Sequence, residues 1–161
     1  MEIALRYLGS RPRSRRELTD RLRRGGVPDP TIDLTLERLQ EYGYADDAAF
    51  VRWWTEQRDR HAPRGRRLLE SELRQRGVPR DVIHDSYADE RGEWQPEDEH
   101  LPVTESERAR AVLDRHLRGR PVPTDARALQ RLGSFLMRRG FDAETVRSAI
   151  RSAGAAVDSE E

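Results

Sequence analysis

The feature that most constrains this chain is a threefold repeat, visible when three segments are aligned on a Gly followed by an apolar residue: RLRRGGV to Val27, ELRQRGV to Val78 and FLMRRGF to Phe141. Nine residues upstream lie Leu18, Leu69 and Leu132, and five upstream lie Leu22, Leu73 and Leu136. Five downstream lie Ile32, Ile83 and Val146, and nine downstream lie Leu36, Tyr87 and Ile150. Apolar spacing of four on both sides of a break predicts two amphipathic helices. Gly26, Gly77 and Gly140 stand where a helix C′ residue needs positive φ, so each unit reads as helix, tight turn, helix.

The turns are 51 and 63 residues apart, which leaves room for one further helix per unit. Residues 2–8, 47–60 and 105–117 supply it, each ending before a Pro-containing turn (RPR, HAPR, GRPVP). Ser14 with Glu17 and Thr104 with Glu107 have capping-box spacing, Asp29 precedes Pro30 at an expected N1, and Asp142 is placed to cap the last helix. The expected fold is all-α: three tandem three-helix units, about nine helices and no sheet. The units are 1–45, 46–88 and a divergent 105–154. The stretch 89–105 carries seven acids against Arg91 alone, so 89–104 reads as an acidic linker, and the small, acidic 155–161 reads as a disordered tail.

Composition narrows the function. An apolar fraction of 35% suits thin repeated layers better than one thick core. Thirty basic residues cancel 30 acids, so the distribution of charge must carry any electrostatic argument. All the basic residues are Arg; the forked guanidinium suits phosphate, although genomic base composition explains the bias at least as well. With no Cys, disulfides, thiolate catalysis and Cys zinc sites are excluded. No apolar run approaches the roughly 18 residues of a membrane helix, and MEIALRYLG has no signal-peptide core, so a soluble cytoplasmic protein is expected. There is no phosphate loop, no HExxH and no GxSxG, and the four histidines are scattered; no catalytic residue, metal, cofactor or small-molecule substrate is expected.

Three clusters invite a functional reading. Asp46 and Asp47 could hold a divalent cation, but helix capping at the start of an apolar-periodic segment explains them more simply. Trp53 and Trp54 could stack on bases, yet adjacent helical positions differ by about 100°, so at least one is expected in the core. The basic cluster is Arg15, Arg16 and Arg23, matched after alignment by Arg66, Arg67 and Arg74, where the third unit has Leu129, Gln130 and Met137. Arg16 with Arg23, and Arg67 with Arg74, project nearly opposite the leucine stripe, as compatible with a solvated face as with an anion-binding surface. The last helix of each unit opens with acids (Asp29 and Asp33; Asp81 and Asp85; Asp142 and Glu144), which disfavours insertion of that helix into a DNA groove.

The segments ALRYLGSRPRSRRELTDRLRRGGV, LERLQEYGYADDAAFVRWWTEQR and RGRRLLESELRQRGVPRDVI resemble the RecX regulatory family. The specific signature is Gly43, Tyr44, Asp46, Asp47 and Phe50, followed by the ELxxxGV turn with Gly77. Resemblance is close over residues 4 to about 88; the third unit matches in helix order and in its RRGF turn. The acidic insertion and the adjacent tryptophans depart from the family pattern, and an N-terminal extension frequent in relatives is expected to be missing. The resemblance implies an elongated, curved array that binds RecA nucleoprotein filaments along their groove, with DNA as an occasional second contact. It implies restraint of recombinase, ATPase and coprotease activity, hence a place in DNA repair, recombination and the SOS response; the arginine face read from the repeat is the candidate contact. The alternative is a general DNA-binding helical module acting without RecA; a purely structural adaptor is a third class.

Overall fold

A computed structural model describes residues 1–88, 102 and 104–157. Among them the chain forms nine α-helices and no strand: α1 Glu2–Leu8, α2 Arg15–Arg24, α3 Asp29–Glu41, α4 Asp47–His61, α5 Arg66–Gln75, α6 Arg80–Ala88, α7 Glu105–Leu117, α8 Ala126–Arg138 and α9 Ala143–Val157. The all-helical class and the three three-helix units stand as the repeat predicts.

The turns close as the glycines require. Gly26, Gly77 and Gly140 hold φ of 77°, 80° and 94°. The residue after each donates its N–H back to the helix: Val27 to Leu22 O at 3.1 Å, Val78 to Leu73 O at 3.1 Å and Phe141 to Leu136 O at 3.4 Å. These six-to-one closures satisfy carbonyls that a helix end would otherwise leave open. Gly43 ends α3 in the same way, with φ 73° and Tyr44 N–H on Leu39 O at 2.7 Å. Both capping boxes form, on Ser14 and on Thr104, and Asp142 accepts the Thr145 N–H at 2.8 Å.

The described residues divide into two compact units, one of residues 1–55 and 72–88, the other of residues 56–71 and 104–157. The division falls inside α4 and α5, so the middle three-helix domain contributes to both. In the first unit Ala4, Leu18, Leu22, Ile32, Leu36, Leu39 and Ala45 form one core, the leucine stripe of α2 lying against α1 and α3. In the second, Ala109, Val112, Leu113, Leu132, Leu136, Phe141, Val146, Ala149 and Ala153 bring α7, α8 and α9 together. Burying each large apolar side chain stabilises its unit by about 1.5–3 kcal/mol.

Two expectations need correction. Pro30 stands at N2 of α3 instead of the expected N1: Pro28 is the N-cap and Asp29 the first helical residue, and at N2 the missing N–H still costs no hydrogen bond. The helix α9 continues to Val157, three residues into the stretch expected to be disordered, because Ala155 and Ala156 carry high helix propensity and Ala153 anchors the preceding turn in the core. The acidic segment 89–104 lies almost wholly outside the described residues, as do the last four residues of the tail.

Candidate functional site

In the first unit α2 carries Arg15, Arg16 and Arg23 away from its buried leucines, but not as unengaged charges. The Arg15 guanidinium donates to Gln40 Oε1. Arg23 forks onto Asp29, with Nε to Oδ1 at 2.8 Å and Nη2 to Oδ2 at 3.3 Å. That hydrogen bond raises the Arg23 pKa and lowers that of Asp29. Arg16 is exposed, its nearest acid Asp20 at 3.9 Å, and its stem runs across Gly77, where an added Cβ would strike it. Arg74, also exposed, lies on the last turn of α5 in the same unit.

In the second unit Arg66 donates from Nε to Glu70 Oε1 at 2.9 Å, and its backbone N–H is accepted by Glu105 at 3.1 Å. Arg67 is exposed, with its backbone N–H on Gly140 O at 3.3 Å. The matched arginines thus fall into two groups, Arg15, Arg16, Arg23 and Arg74 in one unit and Arg66 and Arg67 in the other.

The signature residues divide by role. Asp46 caps α4, accepting the N–H groups of Ala48 at 2.8 Å and Ala49 at 3.1 Å. Asp47 is buried and instead accepts the N–H of Arg15, the first residue of α2, at 2.9 Å. Burial pushes its pKa up, and the hydrogen bond from Arg15 opposes that. Phe50 is fully buried, whereas Tyr44 is 56% exposed; with Gly43, Asp46, Leu5 and Leu8 they border a groove of 520 Å³.

Sequence reasoning missed the hub beside them. Glu17 completes the Ser14 capping box and also receives Arg11 at 3.0 Å and Arg76 at 2.7 Å. Burial works against its carboxylate, but the hydrogen bonds from Arg11, the Ser14 N–H and Arg76 outweigh it and hold the pKa below the ordinary value. The Arg76 guanidinium lies 4.0 Å from the Trp54 ring centroid, and the Trp54 Nε1–H donates to Glu72 at 3.0 Å. Trp54 is therefore in the core, as expected of one of the pair, while Trp53 is half-buried with Arg11 5.6 Å from its ring.

The joints between successive three-helix domains repeat. At the first, Ser14 Oγ donates to Arg76 O at 2.7 Å and Asp47 accepts the Arg15 N–H. At the second, the Gly65 N–H donates to Arg139 O at 2.8 Å and Glu105 accepts the Arg66 N–H. Ser14 and Gly65 are equivalent in the repeat, as are Arg15 and Arg66, and Arg76 and Arg139. In each case an acid opening the next domain caps the second helix of the domain before it, whose N-terminus meets the next domain's Gly turn.

Family models for the first, second and third three-helix domains of RecX match residues 1–39, 46–86 and 104–150 in that order. The regulatory protein RecX of Thermobifida fusca is 39% identical over 97% of this chain and 81% of its own length. The chain belongs to the RecX family. The RecX of Prosthecochloris aestuarii is 33% identical over 91% of the chain and 88% of its own length. In three dimensions the chain is similar to crystalline RecX from Lactobacillus salivarius, with TM-score 0.75, 14% identity and coverage of 94% and 92% of the two chains. A second crystal structure of a regulatory protein RecX gives TM-score 0.66 at 20% identity over 90% and 68%. These structures share the fold. The RecX relatives carry the name of regulatory proteins rather than of enzymes, and regulation is the coarse function of this family member. No described helix is long and apolar enough to cross a membrane.

Proposed function

We propose that this RecX-family chain is a cytoplasmic regulator that binds RecA filaments assembled on DNA and restrains their recombinase, ATPase and coprotease activities. In this way it regulates repair, recombination and the SOS response. The observation that carries this reading is the joint repeated between domains, which sets α2 and α5 in equivalent surroundings and so presents the matched pairs Arg15 with Arg66 and Arg16 with Arg67 in the same local frame. A recombinase filament is a helical array of identical protomers around phosphates, and a repeated basic element can contact more than one protomer, so that modest contacts gain avidity. Arg16 and Arg67 are the exposed members; Arg23 would exchange Asp29 for the target.

The test is RecA ATP hydrolysis on single-stranded DNA during titration with this protein, alongside binding to naked DNA at two salt concentrations. Inhibition without comparable naked-DNA binding, lost when Arg16, Arg23, Arg67 and Arg74 are changed to Glu, is the expected result. Unchanged hydrolysis, strand exchange and repressor self-cleavage at several-fold excess over RecA would overturn it. Salt-steep binding to naked DNA without inhibition would point instead to a general DNA-binding module.

A further inference from the structure

A cavity of 440 Å³ opens in the second unit, on elements that carry none of the matched arginines. Its lining includes Arg115, Arg118, Arg120 and Arg139 with His61 and His116, and no acidic residue among the described residues. Arg115 and His116 lie on the outer turn of α7, three and four residues beyond Val112, which also borders the cavity. Arg118 ends α7 at φ 52°, a left-handed conformation that L-residues other than Asn, Asp and His seldom adopt. Arg120, just beyond Gly119, is tied back to Leu117 O through Nε at 3.1 Å. From α8, Phe135 stacks on His116 with ring centroids 4.2 Å apart, and the Arg139 guanidinium stands 5.4 Å from the Phe135 ring.

Such a site has one sign of charge, four forked donors and an aromatic wall. Like charges gathered on a concave surface repel one another in its absence and attract a multiply charged anion, and guanidinium groups grip phosphate oxygens in pairs. Nearby, the half-buried Arg64 has its pKa lowered, first by burial and then by the charges of Arg58 and Arg139, which places it too in a positive field. An extended nucleic-acid backbone is met by stripes of charge along a surface, whereas a concavity of 440 Å³ has the dimensions of a small-molecule pocket.

We propose that this cavity is a binding site for the polyphosphate group of a free nucleotide, with Arg115, Arg118, Arg120 and Arg139 as phosphate ligands and the His116–Phe135 pair as the wall beside the base. It is a ligand site distinct from the α2 and α5 arginines, and it stands whether or not these bind a filament.

The test is isothermal titration calorimetry of the full chain with ATP, with inorganic triphosphate and with a 5′-hydroxyl deoxyoligonucleotide. ATP is expected to bind one per chain and to weaken with salt, and triphosphate to compete with it. Arg115→Gln with Arg120→Gln should weaken ATP by about tenfold or more. Arg118→Asn, which suits the left-handed backbone, should also weaken it while leaving the helical circular dichroism unchanged. No binding of ATP at millimolar concentration would overturn the proposal, as would binding undiminished in both variants. Oligonucleotide binding that these variants abolish, without ATP binding, would overturn the free nucleotide and assign the cavity to nucleic acid.

Discussion

The carboxylate of Asp47 accepts the backbone N–H of Arg15 at 2.9 Å, so the first residue of α4 caps the first residue of α2 across 32 positions of sequence. Glu105 does the same for Arg66 at the next joint, at 3.1 Å. Burial raises the pKa of both acids, while the backbone N–H of Arg15 or Arg66 pulls each back down. A carboxylate with raised pKa disfavours the folded state at neutral pH, and that cost is relieved as pH falls towards its unfolded value. What these sites need is therefore an acceptor rather than a charge. Asp47→Asn and Glu105→Gln should match or exceed the parent in urea denaturation at pH 7, whereas Asp47→Ala and Glu105→Ala should lose about 0.5–2 kcal/mol.

Glu17 has the opposite sign. Its pKa is held below the ordinary value despite burial, so its contribution is complete above that value and disappears as pH falls through the lowered one. Acid unfolding followed by tryptophan fluorescence should show the first unit weakening below about pH 4.5. Glu17→Gln, which loses the charged bonds to Arg11 and Arg76, should cost about 1–3 kcal/mol at pH 7 and flatten the acid limb. An acid limb unchanged by Glu17→Gln would show that the hub contributes nothing measurable.

What could be read in the sequence was local. The Gly turns, the Ser14 and Thr104 boxes and the Asp46 cap each depend on residues within a few positions, where helical period and positive φ leave little choice. The adjacent Asp47 has the same composition cues as Asp46, and only the arrival of α2 gives it a different task. The partners of Arg15 and Arg23 likewise depend on where Gln40 and Asp29 come to rest, whereas Glu70, four residues beyond Arg66 on the same helix, is a local partner. The α7–α8 cavity was hidden for another reason: Arg115, Arg118 and Arg120 lie outside the helix pair that the Gly alignment covers, so the third domain reads as having lost its basic pattern.

Arg108 and Asp59 form an ion pair at 2.9 Å with side chains 1% and 0% exposed, a pairing that a surface-type residue such as Arg does not announce. Removing one partner leaves a desolvated charge. Asp59→Ala or Arg108→Ala should each cost about 3–5 kcal/mol, measured by chemical denaturation. Asp59→Leu combined with Arg108→Met should recover most of that loss, because two apolar groups of similar volume need no compensating charge. A double variant as unstable as either single one would mean that the pair's hydrogen bonds, rather than charge balance, hold this core together.

Three glycines separate the two reasons for requiring one. Gly26 has φ 77° and no atom within 4 Å of an added Cβ, so Gly26→Ala meets only the left-handed backbone penalty, about 1 kcal/mol. Gly77 has φ 80° and also supports the Arg16 stem, whose Cβ cannot swing away, so Gly77→Ala should cost clearly more. Gly65 meets no such φ penalty, yet a Cβ there would fall on the backbone of Gly140 and Phe141, where Gly65 and Arg67 donate to Arg139 and Gly140. Backbone cannot yield as a side chain does, and Gly65→Ala should be the most damaging of the three, at about 3 kcal/mol. Thermal melts of the three variants should rank Gly26→Ala above Gly77→Ala above Gly65→Ala; equal losses at Gly26 and Gly77 would mean that Arg16 moves aside freely and that the first joint tolerates its displacement.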